Sequence, residues 1–385
     1  MTTFFVLCLL IQPWIFNPAP GVQNQFRIPQ GMFLIFIFMG MIILALRKGL
    51  TNTYHNKYLS NFICYLFLSC FFYIFFNIAR VQPAPLYMLV PFIYISLGIM
   101  TILSILSIFE KDDYIRIAKA LCISSVLISV FSLLQYFGFD PLKATFPGLW
   151  EQHVQYRCDN RMSACLDNPN LIGMYLGLTI PMFLYFKRPL YWAGLAISLF
   201  TIYLSKSHFA WFCSIFSLLV WAFLKFREYK WVRLGLLVSS FATILILIYT
   251  GLLHNLMKLS TLMSGRADLW LKTVELFKNN PLFGLGIGFF STLHIVTQNE
   301  VGRSIWYEVH NDWLQYLVEI GILGVFLFVL LIINSIRNYS YKEEIGNCFF
   351  TMFLTFLLFM LGSFPMEVPT IALLGLTGWC AIEKL

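Results

Sequence analysis

An all-α polytopic membrane protein with about twelve transmembrane helices is the fold class this sequence predicts, and three observations predict it. Of the 385 residues, 59% are hydrophobic and 11% charged, and mean hydropathy is +0.77, so lipid is expected to be the main solvent of the chain. The apolar residues fall in long runs separated by short polar links. Lysines and arginines gather in alternate links, the bias that orients helices in a membrane.

Taken in order, the runs expected to span are 2–16, 31–46, 59–79, 86–109, 114–138, 170–186, 189–204, 209–224, 232–252, 305–334, 346–364 and 368–382. Several fall short of the roughly 20 residues that a hydrocarbon core asks of a helix, 2–16 and 368–382 most of all. No Lys or Arg precedes the first apolar stretch, which argues for a retained first helix and against a cleaved signal peptide. With the N-terminus in the cytoplasm, Arg47, Lys48, Lys57, Lys111, Arg116, Lys119, Lys187, Arg188, Lys225, Arg227, Lys230, Arg233, Arg337, Lys342 and Lys384 all fall inside. The short outside links hold only Arg27, Arg80 and Lys206. Both termini are therefore expected in the cytoplasm, the whole of 1–385 forms one integral membrane domain, and two long loops, about 139–169 and about 253–304, lie outside. The net charge of +8 reports this bias and gives no ground for nucleic-acid binding. There is no evident internal repeat, low-complexity tract or soluble domain.

Of nine cysteines, seven sit in apolar runs, where cysteine behaves as a small hydrophobe. Cys158 and Cys165 share the first outside loop, and a disulfide between them is expected there. The chain has no CxxC and no histidine pair with zinc spacing, so neither a metal nor another cofactor is expected.

The second outside loop has internal order. After Ser264-Gly265-Arg266, the apolar Ala267, Trp270, Leu271, Val274 and Phe277 recur at the helical period while Asp268, Lys272 and Glu275 stay polar, which predicts an amphipathic helix near the membrane surface. Asn279-Asn280-Pro281 stops it. The following Gly284-Leu285-Gly286-Ile287-Gly288 lacks the strand–turn–helix setting of a dinucleotide fingerprint. Its glycines suit close backbone packing or a tight turn.

The run from His310 to Gly324 carries a histidine and a line of polar groups into an otherwise apolar helix. Asn311, Gln315 and Glu319 are four apart and line one helix face. A charged side chain at the centre of a spanning helix costs about 2.5–3.5 kcal/mol on insertion scales, so Glu319 is expected to face a protein-lined or wet interior.

Together, four motifs resemble the O-antigen ligase and polymerase superfamily: Arg161-x-Ser163 with Asn168-Pro169-Asn170, the Ser264-Gly265-Arg266 to Trp270 opening, the Pro281 to Phe289 glycine run, and His310-Asn311 through Gly324. The similarity spans roughly 155–330. It implies a metal-independent glycosyltransferase of the bacterial inner membrane, which moves a glycan from an undecaprenyl-diphosphate carrier to an acceptor hydroxyl on the periplasmic side. The acceptor would be lipid A core in a ligase, or a growing glycan in a polymerase. One segment departs from the pattern. Where relatives carry an arginine followed by glycine, Leu204-Ser205-Lys206-Ser207-His208-Phe209-Ala210-Trp211 has His208 and Phe209.

A lipid diphosphate is already a good leaving group, so such a site must offset phosphate charge and position or deprotonate a hydroxyl. Arg266, Arg161, Lys206 and His208 are the candidates for the first task, arginine because its planar fork grips phosphate oxygens. His310 is the candidate base, since imidazole titrates near neutral pH. Plainer readings stand beside these. Arg266 could pair with Asp268 or Glu275, and Arg161 with Asp159 or Asp167. The seam Asn311, Gln315 and Glu319 could only cross-link helices, and Trp306 and Tyr307 could be interfacial anchors. A secondary transporter of an anionic solute is the alternative of another class, although no paired halves are visible.

The charge bias alone makes a testable topology. Cysteines introduced near Lys230 and Lys342 should react only with reagents on the cytoplasmic side, and those near Lys258 and Asn299 only from outside; labelling at 299 from the cytoplasm would invert it.

Overall fold

A computed structural model describes residues 2–15, 27–48, 58–59, 61–66, 68, 98–99, 102–103, 108–141, 161–162, 164–166, 168–231, 234–235, 266–292, 295–299, 302–306 and 308–385. The longer helices within them are α1 (Thr2–Ile11), α2 (Arg27–Lys48), α3 (Lys111–Tyr136), α4 (Pro169–Tyr185), α5 (Pro189–Leu204), α6 (His208–Lys225), α7 (Arg266–Asn279), α8 (Asp312–Asn338), α9 (Glu344–Phe359) and α10 (Pro369–Lys384). Four stretches among the described residues are long and apolar enough to cross a membrane: Pro29–Arg47 and helices α3, α6 and α8. The chain is an α-helical membrane protein. Much of the expected spans 59–79, 86–109 and 232–252 lies outside the described residues.

Helix α4 is the hub. Asn168 caps it by accepting a hydrogen bond from Asn170 N at 2.8 Å, and Pro169 follows at the first helical position, where its missing N–H costs nothing. Residues 171–184 are all buried, as befits a helix that is apolar on every side. It packs against α3, α5, α6 and α9. Against α3 the contact is polar: Ser125 donates to Thr179 Oγ1 at 2.7 Å and Tyr175 donates to Ser124 Oγ at 2.8 Å, the kind of interhelical glue that replaces the hydrophobic effect inside lipid.

Cross-links sort the helix ends into two layers. At one end Thr2 bonds Asp113, Lys111 pairs with Glu343 at 2.5 Å, Lys225 pairs with Glu344, and Arg227 donates to Tyr341 O. At the other end Gln30 donates to Pro13 O and Cys165 O, both at 3.1 Å, and accepts from Thr370 at 2.9 Å. The second layer holds the candidate site.

Two local expectations are corrected. The chain is not wholly α-helical: β1 (Ile295–Asn299) pairs antiparallel with β2 (Gly302–Trp306), Ile295 opposite Trp306. The β-branched Ile295, Val296, Thr297 and Ile305 favour extended backbone, so the helix expected from 305 begins only at Asp312, capped by Asn311 accepting from Leu314 N at 3.0 Å. The expected 346–364 helix ends at Phe359, and residues 360–368 turn back across the end of the bundle.

Helix α8 is broken. Gly321 sits at φ 69°, ψ −179° in its middle, and the glycine-rich loop after α7 fills the break. Leu285 N donates to Val318 O at 2.7 Å and Gly286 N to Glu319 O at 2.8 Å. In return Ile322 N donates to Pro281 O at 2.8 Å and Leu323 N to Leu282 O at 3.3 Å. Tyr65 OH adds a bond to Ile320 O at 2.6 Å. Both chains must be glycine where they cross, because a Cβ on Gly284 would lie 2.4 Å from Glu319 backbone atoms and one on Gly321 would lie 2.3 Å from Leu282 O. Gly321→Ala should therefore lower stability by more than the roughly 1–3 kcal/mol of a strained φ. Gly138 also has a positive φ but nothing within 4 Å of its would-be Cβ. Thermal unfolding in detergent should show a larger loss for Gly321→Ala than for Gly138→Ala; equal losses would deny the crossing any role.

Candidate active site

The turn between α9 and α10 gathers the site. Asp312, the first residue of α8, is buried and clamps this turn: its N–H donates to Met360 O at 2.9 Å and Ser363 O at 3.2 Å, and its carboxylate accepts from Met366 N at 2.9 Å. From α7, Arg266 Nη1 donates to Gly362 O at 3.3 Å. Arg266 Nε is buried without a hydrogen-bond partner among the described residues, and burial pushes the guanidinium below its usual range. An arginine does not escape such a site by losing its proton, so among the described residues it is a cation without a paired anion.

His310 lies two residues before α8 with a left-handed φ of 56°, unusual for a residue with a Cβ. Its ring stands edge-on to Phe364 of the same turn at 4.5 Å and to Trp306 at the end of β2 at 5.2 Å. The neighbouring Val309 is buried with Leu269 and Phe290, and Val309 O accepts from Trp270 Nε1 at 2.9 Å, which ties α7 to the histidine. Arg266 and His310, 44 positions apart in sequence, thus reach one turn, at Gly362 and Phe364.

The polar seam of α8 faces protein. Gln315 Nε2 donates to Glu367 Oε1 at 3.0 Å and to Glu319 Oε1 at 3.4 Å, Gln315 Oε1 accepts from Val309 N at 3.3 Å, and Glu319 Oε1 accepts from Phe290 N at 3.2 Å. Gln315 and Glu319 are buried. Asn311 does not join them; it is the helix cap described above.

Arg161, Lys206 and His208 lie around the link between α5 and α6. Arg161 Nε donates to Ser205 O at 2.9 Å and Nη2 to Asn170 Oδ1 at 3.0 Å, bracing the link to the start of α4; its alternative partners Asp159 and Asp167 are outside the described residues. Lys206 is exposed at φ 54°. His208 is exposed too, and its ring packs on Trp211 at 5.1 Å, which stacks on Tyr203. The side chain of this link that meets the turn is Phe209: it packs on Gly362, where an added Cβ would lie 2.7 Å from its ring, and against Phe359.

Sequence reasoning missed Asp312, Glu367 and the turn itself. The available signal was Gly362-Ser363-Phe364-Pro365, a cluster of helix breakers with an acid two residues on, inside what read as helix. The expected Cys158–Cys165 disulfide is also corrected. Cys165 is a free, fully buried thiol pushed up to about 12 by burial; it packs in the core with Met162 and Ala164, and Cys158 lies outside the described residues. Among the described residues no group of three or more His, Cys, Asp or Glu is placed to hold a metal ion.

Residues 193–329 match the O-antigen ligase family model. The match supports the O-antigen ligase and polymerase superfamily, whose members are glycosyltransferase-like membrane proteins. No curated protein and no solved structure matches the chain. The matched segment runs from α5 into α8 and so contains Lys206, His208, Arg266 and His310, whereas Arg161 and the 360–367 turn fall beyond its ends.

Proposed function

We propose that the protein transfers a glycan from an undecaprenyl-diphosphate-linked donor to an acceptor hydroxyl at the periplasmic face of the bacterial inner membrane, as in O-antigen ligation to lipid A core. A repeat-unit polymerase, with the growing glycan as acceptor, uses the same chemistry. One observation carries the reading: an incompletely paired arginine and a histidine converge on a single turn. In the reaction the acceptor oxygen attacks the anomeric carbon of the donor, the bond from that carbon to the phosphate oxygen breaks, and undecaprenyl diphosphate leaves with the electron pair. His310 takes the hydroxyl proton. Arg266 offsets the charge on the departing diphosphate, a task suited to its fork and to a site shielded from water. Arg161, Lys206 and His208 then act at the edge of the donor site, Arg161 by holding the α5–α6 link and the other two as exposed cations, His208 when protonated.

Broken helices also line the substrate sites of transporters, so the break in α8 keeps passage of an anionic solute as the second reading. Here the carbonyls of Val318 and Glu319, freed from helical pairing by the break, are taken up by Leu285 and Gly286 N–H groups, which favours a braced scaffold over an open ion path.

His310→Ala should leave the protein folded and lower transfer by about 10²–10⁴-fold, the usual loss with a general base. Arg266→Lys keeps the charge and loses the fork, and should weaken transfer less than Arg266→Ala. Purified protein with a lipid-diphosphate glycan donor and product analysis decides it; full activity of His310→Ala would remove the histidine from the mechanism.

A further inference from the structure

A shallow, open groove of about 430 Å³ lies between α7 and β1, lined among the described residues by Lys272, Glu275, Leu276, Asn279 and Ile295. Its four helical residues are spaced i, i+3, i+4, i+7, so one face of α7 forms a wall and the first strand of the hairpin the other. We propose that this groove holds the sugar residues of the acceptor and leads its hydroxyl past Trp306 to His310, an inference that rests on the transfer reading above.

Chemistry selects the ligand class. Among the described residues three of the five lining side chains are polar, which disfavours a lipid chain, while Leu276 and Ile295 supply apolar surface beside the donors and acceptors. A sugar has that mixture, with a hydroxyl edge and a C–H face. A phosphate is a poor fit, because Glu275 repels it and Lys272 already bonds Asp268 at 2.9 Å. Position selects the role. Ile295 is directly opposite Trp306 in the hairpin, and opposite residues share a face at about 4.5–5.5 Å between Cβ atoms. Leu276, Ile295 and Trp306 all pack on the Leu269, Phe290, Val309 cluster, and the Trp306 ring is 5.2 Å from that of His310. The floor of the groove is therefore continuous with the ground beneath the histidine.

The test uses full-length protein in nanodiscs and two soluble probes from the strain that carries the gene: delipidated core oligosaccharide and the repeat-unit oligosaccharide. Titration calorimetry should show binding of one of them, core for a ligase and repeat unit for a polymerase. Glu275→Ala/Asn279→Ala should weaken that binding and raise the KM for acceptor by about tenfold, as expected for a few lost hydrogen bonds, with donor KM and kcat unchanged. Lys278→Ala, on α7 but outside the groove, should behave as wild type. Unchanged acceptor KM and binding in the double variant overturn the groove and leave the transfer reading standing, as does wild-type transfer without binding of either probe. Wild-type protein that neither transfers nor binds overturns both.

Discussion

Inside a membrane every backbone N–H and C=O needs a partner from the protein, and the rest of this site depends on how one break in a helix meets that demand. Helix α8 has 27 residues, about 40 Å at 1.5 Å per residue, and is interrupted at Gly321. The Pro281–Gly286 loop restores the pairing as a short splint, giving two N–H groups to the carbonyls before the break and two carbonyls to the N–H groups after it. That anchors the chain on both sides of the splint. Upstream, α7 is held so that Arg266 reaches Gly362; downstream, the Phe289–Thr292 turn leaves Phe290 N against Glu319.

The start of α8 fixes the other half. Asp312 uses its backbone and its carboxylate on three residues of the α9–α10 turn, so helix start and turn move as one body. His310 sits just upstream in a strained backbone conformation, wedged edge-on between Phe364 and Trp306. Strain of this kind persists only where the surroundings over-determine it. Gln315 bonds Glu319 on its own helix and Glu367 on the turn, which extends the same brace toward the splint.

What the sequence revealed follows physical periodicity. The α5 range was legible to the residue, and α4, α6 and α10 to within two, because each is a run of apolar residues flanked by Pro or by charge. The amphipathic α7 was legible from the spacing of Trp270, Val274 and Phe277, and the glycine string from what glycine alone permits. Its partner was not legible, since nothing local says that Gly284 will cross Gly321. The hairpin was lost because Ile305 and Trp306 abut an apolar helix and read as its first turn. The sequence left Lys206 and His208 as alternative cations at the α5–α6 link; only the packing shows that the His208 ring turns to Trp211 while Phe209 meets Gly362.

The central claim, that the glycine loop is hydrogen-bonded into the broken helix, is tested most directly by hydrogen exchange of the Leu285 and Gly286 amides in the intact protein. The account predicts exchange as slow as in the body of α8, and far slower than in a free peptide of the same sequence. Exchange at the free-peptide rate, with α8 still protected on both sides of Gly321, would contradict it.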